Sequence, residues 1–198
     1  RANLLVGTPT FLGGIIRASR PGQLESLRLA VTGAEKCSPR VYEGIAERCP
    51  NAIIIEGYGI TECSPVVAAN RPENPKPYTI GKVMPSLTYA IVDEQVGRRV
   101  EQGATGMLLV RGPSIFSGYL NPDVPSPFVA FEGEQWYRTG DLVSEDADGV
   151  LTFRGRLKRF VKVGGEMISL PAVEAALEPH YARETDEGPV IAVEAGGS

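Results

Sequence analysis

The stretch Ala52-Ile-Ile-Ile-Glu-Gly-Tyr-Gly-Ile-Thr-Glu62 begins with a short apolar run and ends in a tyrosine flanked by glycines. Two similar apolar runs precede it, Asn3 to Val6 and Leu29 to Thr32, and the second ends at Gly33. Apolar runs of this length predict buried β-strands. Because ligands of parallel sheets bind at the carboxyl ends of the strands, the residues after Thr32 and after Ile55 are the first candidates for a site.

Helices are predicted between these runs. Thr8-Pro9 and Ser38-Pro39 each offer an N-cap residue followed by proline at the first helical position. Apolar residues then recur at helical spacing in both segments: Phe11, Leu12, Ile15 and Ile16 in the first, and Val41, Tyr42, Ile45 and Cys49 in the second. Strands that alternate with helices predict an α/β fold with a parallel sheet covered on both faces, and we assign it to residues 1–78.

The texture of the chain changes further on. Residues 79–155 are rich in Pro and Gly between short β-prone runs, which predicts a small, barrel-like β-subdomain. Residues 156–198 are interpreted as a hinge followed by the beginning of a mobile α+β domain. Ser169 is expected to cap a helix that turns Val173, Ala176 and Leu177 inward, and residues 189–193 are expected to form a strand.

Composition excludes several classes of function. Of 198 residues, 42% are hydrophobic and 22% are charged, which is ordinary for a globular protein. The formal net charge of −4 gives no indication of a nucleic-acid-binding surface. No apolar run is long enough to span a membrane. Cys37, Cys49 and Cys63 have no CxxC spacing and are interpreted as free thiols, which favours a cytoplasmic location.

Three segments carry side chains suited to nucleotide chemistry. Tyr58 could stack on a flat ring, while Thr61 and Glu62 could hold a phosphate and Mg²⁺; a tight turn with an exposed tyrosine and a solvated glutamate is the alternative. Asp141 could accept both hydroxyls of a ribose, or could be an ordinary turn aspartate. Arg156 could point toward the nucleotide, with Gly164-Gly165 allowing close packing, or could lie on a solvated strand.

The order of the segments is more specific than any one of them. Five motifs follow one another: Thr32-Gly-Ala-Glu35, Tyr58-Gly-Ile-Thr-Glu62, the glycines 106, 112 and 118 with Tyr119, Tyr137-Arg-Thr-Gly-Asp-Leu142, and Gly155-Arg-Leu-Lys158 with Val161-Lys-Val-Gly-Gly165. In this order the chain resembles the adenylate-forming superfamily of acyl-CoA synthetases, luciferases and peptide-synthetase adenylation domains. Members activate a carboxylic acid with ATP as acyl-AMP and then transfer the acyl group to a thiol.

The resemblance implies a role for each matching residue. Gly33, Ala34 and Glu35 would line the adenine and acyl-carboxylate region, and Tyr58 with Gly59 would contact adenine. Thr61 would contact the phosphate and Glu62 would help hold Mg²⁺, so these two are the catalytic candidates. Asp141 and Arg156 would bind the ribose. Lys158 would be the hinge, and Gly164 and Gly165 would form the loop near the thiol acceptor.

Residues 155–170 are similar to bacterial acyl-ACP synthetases, which are often fused to a lysophospholipid acyltransferase and can lie at the cytoplasmic face of the inner membrane. The resemblance implies a long-chain fatty acid as substrate and acyl carrier protein as acceptor, with coenzyme A as the alternative. A binding module that holds AMP without catalysis and an amino-acid-selecting adenylation domain also stay open. The superfamily's phosphate-binding loop and its C-terminal catalytic lysine do not occur in these 198 residues. We therefore expect a piece of a larger enzyme that is inactive alone.

Overall fold

The computed structural model describes residues 2–163, 166–181 and 191–194. The first sheet has five strands in the order β1-β2-β3-β4-β5. Its strands are β1 (Leu4–Gly7), β2 (Leu29–Thr32), β3 (Ile53–Gly59), β4 (Val66–Ala69) and β5 (Lys82–Val83). β1, β2 and β3 pair in parallel, as the alternating pattern predicts, whereas β4 and β5 are antiparallel additions that the sequence did not indicate.

Helices α1 (Pro9–Ala18) and α2 (Pro39–Arg48) begin where the Thr-Pro and Ser-Pro pairs predict. The Thr8 hydroxyl accepts a hydrogen bond from the amide of Phe11 at 3.3 Å, which satisfies one free amide of the first turn. Ser38 occupies the corresponding position of α2, but its side chain makes no capping bond. Both helices pack on the sheet face that presents Leu5, Ala30 and Ile54.

The opposite face of this sheet corrects one expectation. Among the residues that the structure describes, no helix covers the side of Leu4, Val6 and Ile53, and these side chains are exposed. The prediction of a sheet covered on both faces is therefore wrong for the described part of the chain. On this face burial is confined to the carboxyl-terminal part of β3, where Ile55 is 7% exposed.

The second sheet is antiparallel and forms the β-rich region that the sequence predicts. Its path is β11-β10-β8-β6-β7, with β9 paired to β10. The strands are β6 (Thr88–Asp93), β7 (Arg98–Arg99), β8 (Gly106–Arg111), β9 (Phe128–Phe131), β10 (Glu134–Glu145) and β11 (Leu151–Arg156). The long strand β10 contains Asp141, so the motif around that residue is a strand irregularity rather than a simple turn.

The two sheets are joined by packing and by hydrogen bonds. One core cluster includes Cys63 and Val67 from the first sheet region and Leu108, Val143 and Leu151 from the second. Gly81 forms an isolated bridge with Leu151, whose amide donates to the Gly81 carbonyl at 2.8 Å. The shared core and this bridge therefore hold the two sheets in one position relative to each other.

The last described part forms a hairpin and a helix. β12 (Phe160–Val163) pairs with β13 (Glu166–Ser169), and α3 spans Leu170–Tyr181. The Ser169 hydroxyl accepts from the amide of Ala172 at 3.3 Å, as its cap position predicts. Two expectations here are wrong: Ala176 is exposed rather than inward, and residues 191–193 are not in a strand.

Candidate nucleotide site

Tyr58, Asp141 and Arg156 lie together where the two sheets meet. Tyr58 is near the end of β3, and its hydroxyl donates a hydrogen bond to Oδ2 of Asp141 in β10. Asp141 and Arg156 are paired in register across β10 and β11, and Arg156 Nε lies 3.2 Å from Asp141 Oδ1. Two residues from separate motifs, Tyr58 and Arg156, thus converge on the carboxylate of Asp141.

The sequence around Asp141 produces this position. Gly140 has a φ of 77°, and the pairing of β10 with β8 shifts register between Arg138 and Leu142. The hydroxyl of Thr139 bridges the irregularity, because it donates to the Leu108 carbonyl at 2.8 Å and accepts from the Asp141 amide at 3.0 Å. The irregularity allows a polar side chain to point inward from a strand whose neighbours are apolar.

Asp141 is a buried carboxylate with one unpartnered oxygen. It is 1% exposed, and its Oδ1 has no hydrogen-bond partner of good geometry in the described structure, although Arg156 stands close enough for an ion pair. Burial raises the pKa of Asp141, and the Tyr58 hydroxyl and the Arg156 guanidinium oppose that rise only in part. Oδ1 is itself buried, so a hydroxyl donor of a ligand reaches it only when the exposed Arg156 side chain moves aside.

Tyr58 presents a ring that is fixed at its polar end. Burial and the nearby Asp141 carboxylate raise the pKa of the Tyr58 hydroxyl well above its usual range, so it remains a donor at neutral pH. Phe153 of β11 lies beside it, with ring centroids 6.2 Å apart. The ring is therefore held in one orientation before any ligand arrives.

Gly33, Ala34 and Glu35 follow β2 at the same edge of the sheet. A Cβ at Gly33 would lie 2.5 Å from the carbonyl oxygen of Gly57, so only glycine fits between the ends of β2 and β3. Ala34 adopts a left-handed φ of 69°, so the backbone changes direction directly after β2. Glu35 reaches the start of α1, where its carboxylate accepts from the Thr10 hydroxyl at 2.6 Å.

Thr61 and Glu62 stand in a single 3-10 turn, Thr61–Cys63, which follows β3. Thr61 is exposed and Glu62 is half-buried, while Cys63 is completely buried and anchors the turn in the core. Gly59 permits this sharp exit from the strand, since a Cβ there would meet the Pro65 carbonyl oxygen at 2.3 Å. In the described residues no group of three or more His, Cys, Asp or Glu side chains is placed to hold a metal ion.

The remaining predicted residues lie beyond this cluster. Lys158 is exposed in a second 3-10 turn, Leu157–Arg159, directly after Arg156. Gly164 and Gly165, the predicted thiol-acceptor loop, lie outside the described residues. No helix in the described part of the chain is long and apolar enough to cross a membrane.

Residues 1–120 match the family model described as AMP-binding enzyme. This chain belongs to the AMP-binding enzyme family. The match covers the first sheet and the strands up to β8.

Relatives within the AMP-binding family include both ligases and peptide synthetases. The chain is 36% identical over 177 residues to nonribosomal peptide synthetase imqB of Aspergillus flavus, covering 83% of this chain and 5% of that protein. The crystal structure of the anthranilate CoA ligase AuaEII with anthranoyl-AMP is 31% identical, with a TM-score of 0.74 over 91% of this chain and 34% of that one. O-succinylbenzoate coenzyme A synthetase of Bacillus subtilis, solved with ATP and magnesium, is 25% identical, with a TM-score of 0.75 over 90% of this chain and 37% of that one. The chain thus spans about a third or less of each.

The motifs assigned no role to several residues of this chain. Thr139 and Tyr119 lie inside or beside quoted motifs, but only their contacts reveal what they do. Glu56 is another: it is 8% exposed, and its carboxylate accepts from the Tyr42 hydroxyl at 2.5 Å and from the Tyr78 amide at 2.7 Å. The sequence feature that could have identified Glu56 is a charged residue directly after the apolar run 52–55.

Proposed function

We propose that this chain forms the adenosine-binding part of an AMP-forming acid–thiol ligase. The observation that carries the proposal is the convergence of Tyr58, from the first sheet, and Arg156, from the second, onto the buried carboxylate of Asp141. A nucleoside offers what this cluster lacks, namely a flat base and a pair of hydroxyl donors. The AMP-binding family and the relatives that are CoA ligases support the same reaction class.

Each residue has a part in this proposal. The Tyr58 ring stacks on adenine, and the backbone of Gly33, Ala34 and Gly59 borders the purine at the carboxyl ends of β2 and β3. The Oδ1 atom of Asp141 accepts from the ribose hydroxyls, beside the exposed guanidinium of Arg156. Glu35, which is bonded to Thr10 at the start of α1, borders the acyl-carboxylate region.

Thr61 and Glu62 fit a magnesium ion that is bound together with nucleotide phosphates. Mg²⁺ commonly uses one or two protein carboxylates, with waters and phosphate oxygens as its other ligands, so a single carboxylate suffices. The Thr61 hydroxyl is exposed next to Glu62 and can donate to a phosphate oxygen. When bound, the ion reduces the negative charge on the phosphates during the displacement.

The proposed reaction has two steps. An oxygen of the substrate carboxylate attacks the α-phosphorus of ATP, an acyl–phosphate bond forms, and pyrophosphate leaves. A thiolate then attacks the acyl carbonyl, a thioester forms, and AMP leaves with the electron pair. In both steps this chain binds and orients the adenosine part, while Lys158, just after Arg156, is proposed as the hinge between the steps.

The acid and the acceptor are proposed from narrower features. Residues 155–170 favour a long-chain fatty acid and acyl carrier protein, in a cytoplasmic enzyme that can associate with the inner membrane. The relatives named as CoA ligases favour coenzyme A as the acceptor. The similarity to a peptide synthetase favours an amino acid carried on a carrier-protein thiol.

Nucleotide binding by the 198-residue chain tests the first part of the proposal. Calorimetric titration with AMP is expected to show saturable binding that Asp141→Ala abolishes. Asp123→Ala is the matched control, because Asp123 lies in an exposed loop and its carboxylate has no described partner. Equal AMP affinity in both variants, or no binding by the wild-type chain, would contradict the proposal.

Turnover by the full-length protein that carries this chain tests the second part. Pyrophosphate release is measured with a panel of fatty acids and amino acids, and thioester formation with coenzyme A and acyl carrier protein. AMP binding without acid-dependent pyrophosphate release would favour a binding module instead. Fatty-acid-dependent pyrophosphate release by the 198 residues alone would overturn the expectation that they are inactive.

A further inference from the structure

Glu62 is the middle residue of a three-residue 3-10 turn. The 3-10 turn that carries it has one residue on each side, and only Cys63 is anchored in the core. A glutamate on such a turn has several rotamers of similar energy, so a defined carboxylate direction needs a contact from elsewhere.

That contact comes from the segment after β8. The Tyr119 hydroxyl donates to Oε1 of Glu62 at 2.8 Å, and the amide of Phe116 donates to the Glu62 main-chain carbonyl at 2.9 Å. One segment therefore holds both the backbone and the carboxylate of Glu62. The other oxygen, Oε2, has no protein partner among the described residues.

The tyrosine is itself held by aromatic packing. Its ring lies edge-on to Phe116 with centroids 4.9 Å apart, and Phe116 packs against Phe128 and the buried Tyr137. The contacts between the rings of Tyr137, Phe116 and Tyr119 therefore connect the core of the second sheet to the Glu62 carboxylate, which follows β3 of the first sheet. Tyr119 remains 44% exposed, so its hydroxyl lies where the turn meets solvent.

We infer that Tyr119 is a positioning residue for Glu62: it fixes Oε1 and leaves Oε2 as the ligand for nucleotide-bound Mg²⁺. This inference rests on the proposed function, because it assumes that Glu62 meets a metal ion. Outer partners of metal ligands act in this way generally, since they orient the ligand before the metal arrives.

The chain offers a matched control for Tyr119. Tyr89 also donates from its hydroxyl to a glutamate, Oε1 of Glu145, at 2.6 Å. Both pairs lose a hydroxyl-to-carboxylate hydrogen bond in a Tyr→Phe substitution, but Tyr89 and Glu145 line a separate pocket with Arg99 and Gly103. A difference between the two variants therefore reports on the Glu62 site rather than on a missing hydroxyl.

The experiment is calorimetric titration of the 198-residue chain with ATP at a series of Mg²⁺ concentrations, with a metal-free series in chelator. In Tyr119→Phe, the Mg²⁺ concentration that gives half of the affinity gain is expected to rise about tenfold. ATP affinity in chelator should stay within about twofold of wild type. Tyr89→Phe should match wild type in both series.

Glu62→Gln and the double variant Glu62→Gln/Tyr119→Phe separate positioning from a general structural role. Once Glu62 has lost its charge, the tyrosine substitution should add no further change in Mg²⁺ dependence. An unchanged Mg²⁺ response in Tyr119→Phe, an equal shift in Tyr89→Phe, or an additive effect in the double variant would overturn the inference. If wild-type ATP binding did not depend on Mg²⁺, the inference about Tyr119 would be wrong but the proposed adenosine site would not be affected. If the wild-type chain bound no ATP, both the inference and the proposed function would be wrong.

Discussion

The hydroxyl of Tyr58 donates a hydrogen bond to Asp141, a residue 83 positions further along the chain and in another sheet. The two side chains that are proposed to contact the base and the ribose are thus already joined to each other in the free protein. The bond orients the tyrosine ring and occupies one oxygen of the carboxylate, while the other oxygen faces Arg156.

Substitution of Tyr58 is expected to separate stability from binding. Tyr58→Phe removes the donor to a buried carboxylate, and the free energy of unfolding should fall by about 1–3 kcal/mol. The ring and its contact with Phe153 are retained, so AMP affinity should fall less than in a variant without the ring. Tyr58→Leu should also lower AMP affinity by roughly tenfold or more, the scale of stacking on one base.

Denaturant titration and AMP calorimetry on both variants check this prediction, with Tyr89→Phe as the control for loss of a tyrosine hydroxyl. If Tyr58→Leu bound AMP as tightly as wild type, Tyr58 would not stack on the base.

Asp141→Asn is expected to stabilise the free protein while weakening nucleotide binding. The pKa of Asp141 is raised in the folded state because burial disfavours its charge, so ionisation of this group costs folding free energy. The neutral isostere removes that cost at pH 7, and the free energy of unfolding should rise by up to about 1 kcal/mol.

The pH dependence follows from the sign of this shift. The folded protein holds the Asp141 proton more tightly than the unfolded chain does, so wild-type stability is lost as pH rises through the folded-state pKa. The advantage of Asp141→Asn should therefore shrink as pH falls toward about 4, the ordinary aspartate pKa. Denaturant titrations of both proteins between pH 4 and pH 7 measure it, and an advantage that grows toward low pH would contradict the argument.

Gly33→Ala is expected to be destabilising, whereas Gly14→Ala should not be. The new methyl group at position 33 would meet the Gly57 carbonyl oxygen at 2.5 Å and push β2 and β3 apart, at a cost of about 1–3 kcal/mol. Gly14 lies in α1 with nothing within 4 Å of its added Cβ, so alanine there should stabilise by roughly 0.5–1 kcal/mol. Thermal unfolding of both variants, with AMP titration of Gly33→Ala, tests the pair; a neutral Gly33→Ala would show that the two strand ends can separate.

The three cysteines are expected to resist modification in the folded protein. All are free and buried, and burial raises the pKa of Cys37 to about 12 and of Cys63 to about 11. The thiolate is the reactive form, so labelling by a disulfide reagent at pH 8 should be slow until the chain unfolds, after which three thiols should react. Rapid labelling of any one of them in native conditions would show that its part of the core opens.

Local signals predicted local structure well. Thr8-Pro9 located the start of α1, and the apolar run Leu29–Thr32 matches β2 at both ends. The run that begins at Ala52 was harder, because Glu56 and Gly57 interrupt the apolar pattern although β3 continues to Gly59. There the antiparallel pairing of Tyr58 with Ala68 outweighs the low strand propensity of glycine.

The site was predictable only as a set of motifs. Tyr58, Asp141 and Arg156 could be named from their order along the chain, but their mutual contacts depend on how two sheets pack. The Tyr119–Glu62 bond spans 57 positions and leaves no periodicity in the sequence, so only coordinates reveal it. In the same way, the exposure of Leu4 and Val6 depends on which sheet face the helices cover, which apolar content alone does not specify.

Lys76 makes ion pairs of 2.7 and 2.6 Å with Asp146 and Asp148, next to the bridge between Gly81 and Leu151. These two ion pairs connect the loop before β5 to the turn that links β10 and β11. An incoming nucleotide would therefore meet a receptor whose two halves were brought into alignment during folding, and little of its binding energy would go into closing them. Slow, ligand-induced rearrangement should accordingly be sought after Arg156, where the chain leaves the two joined sheets.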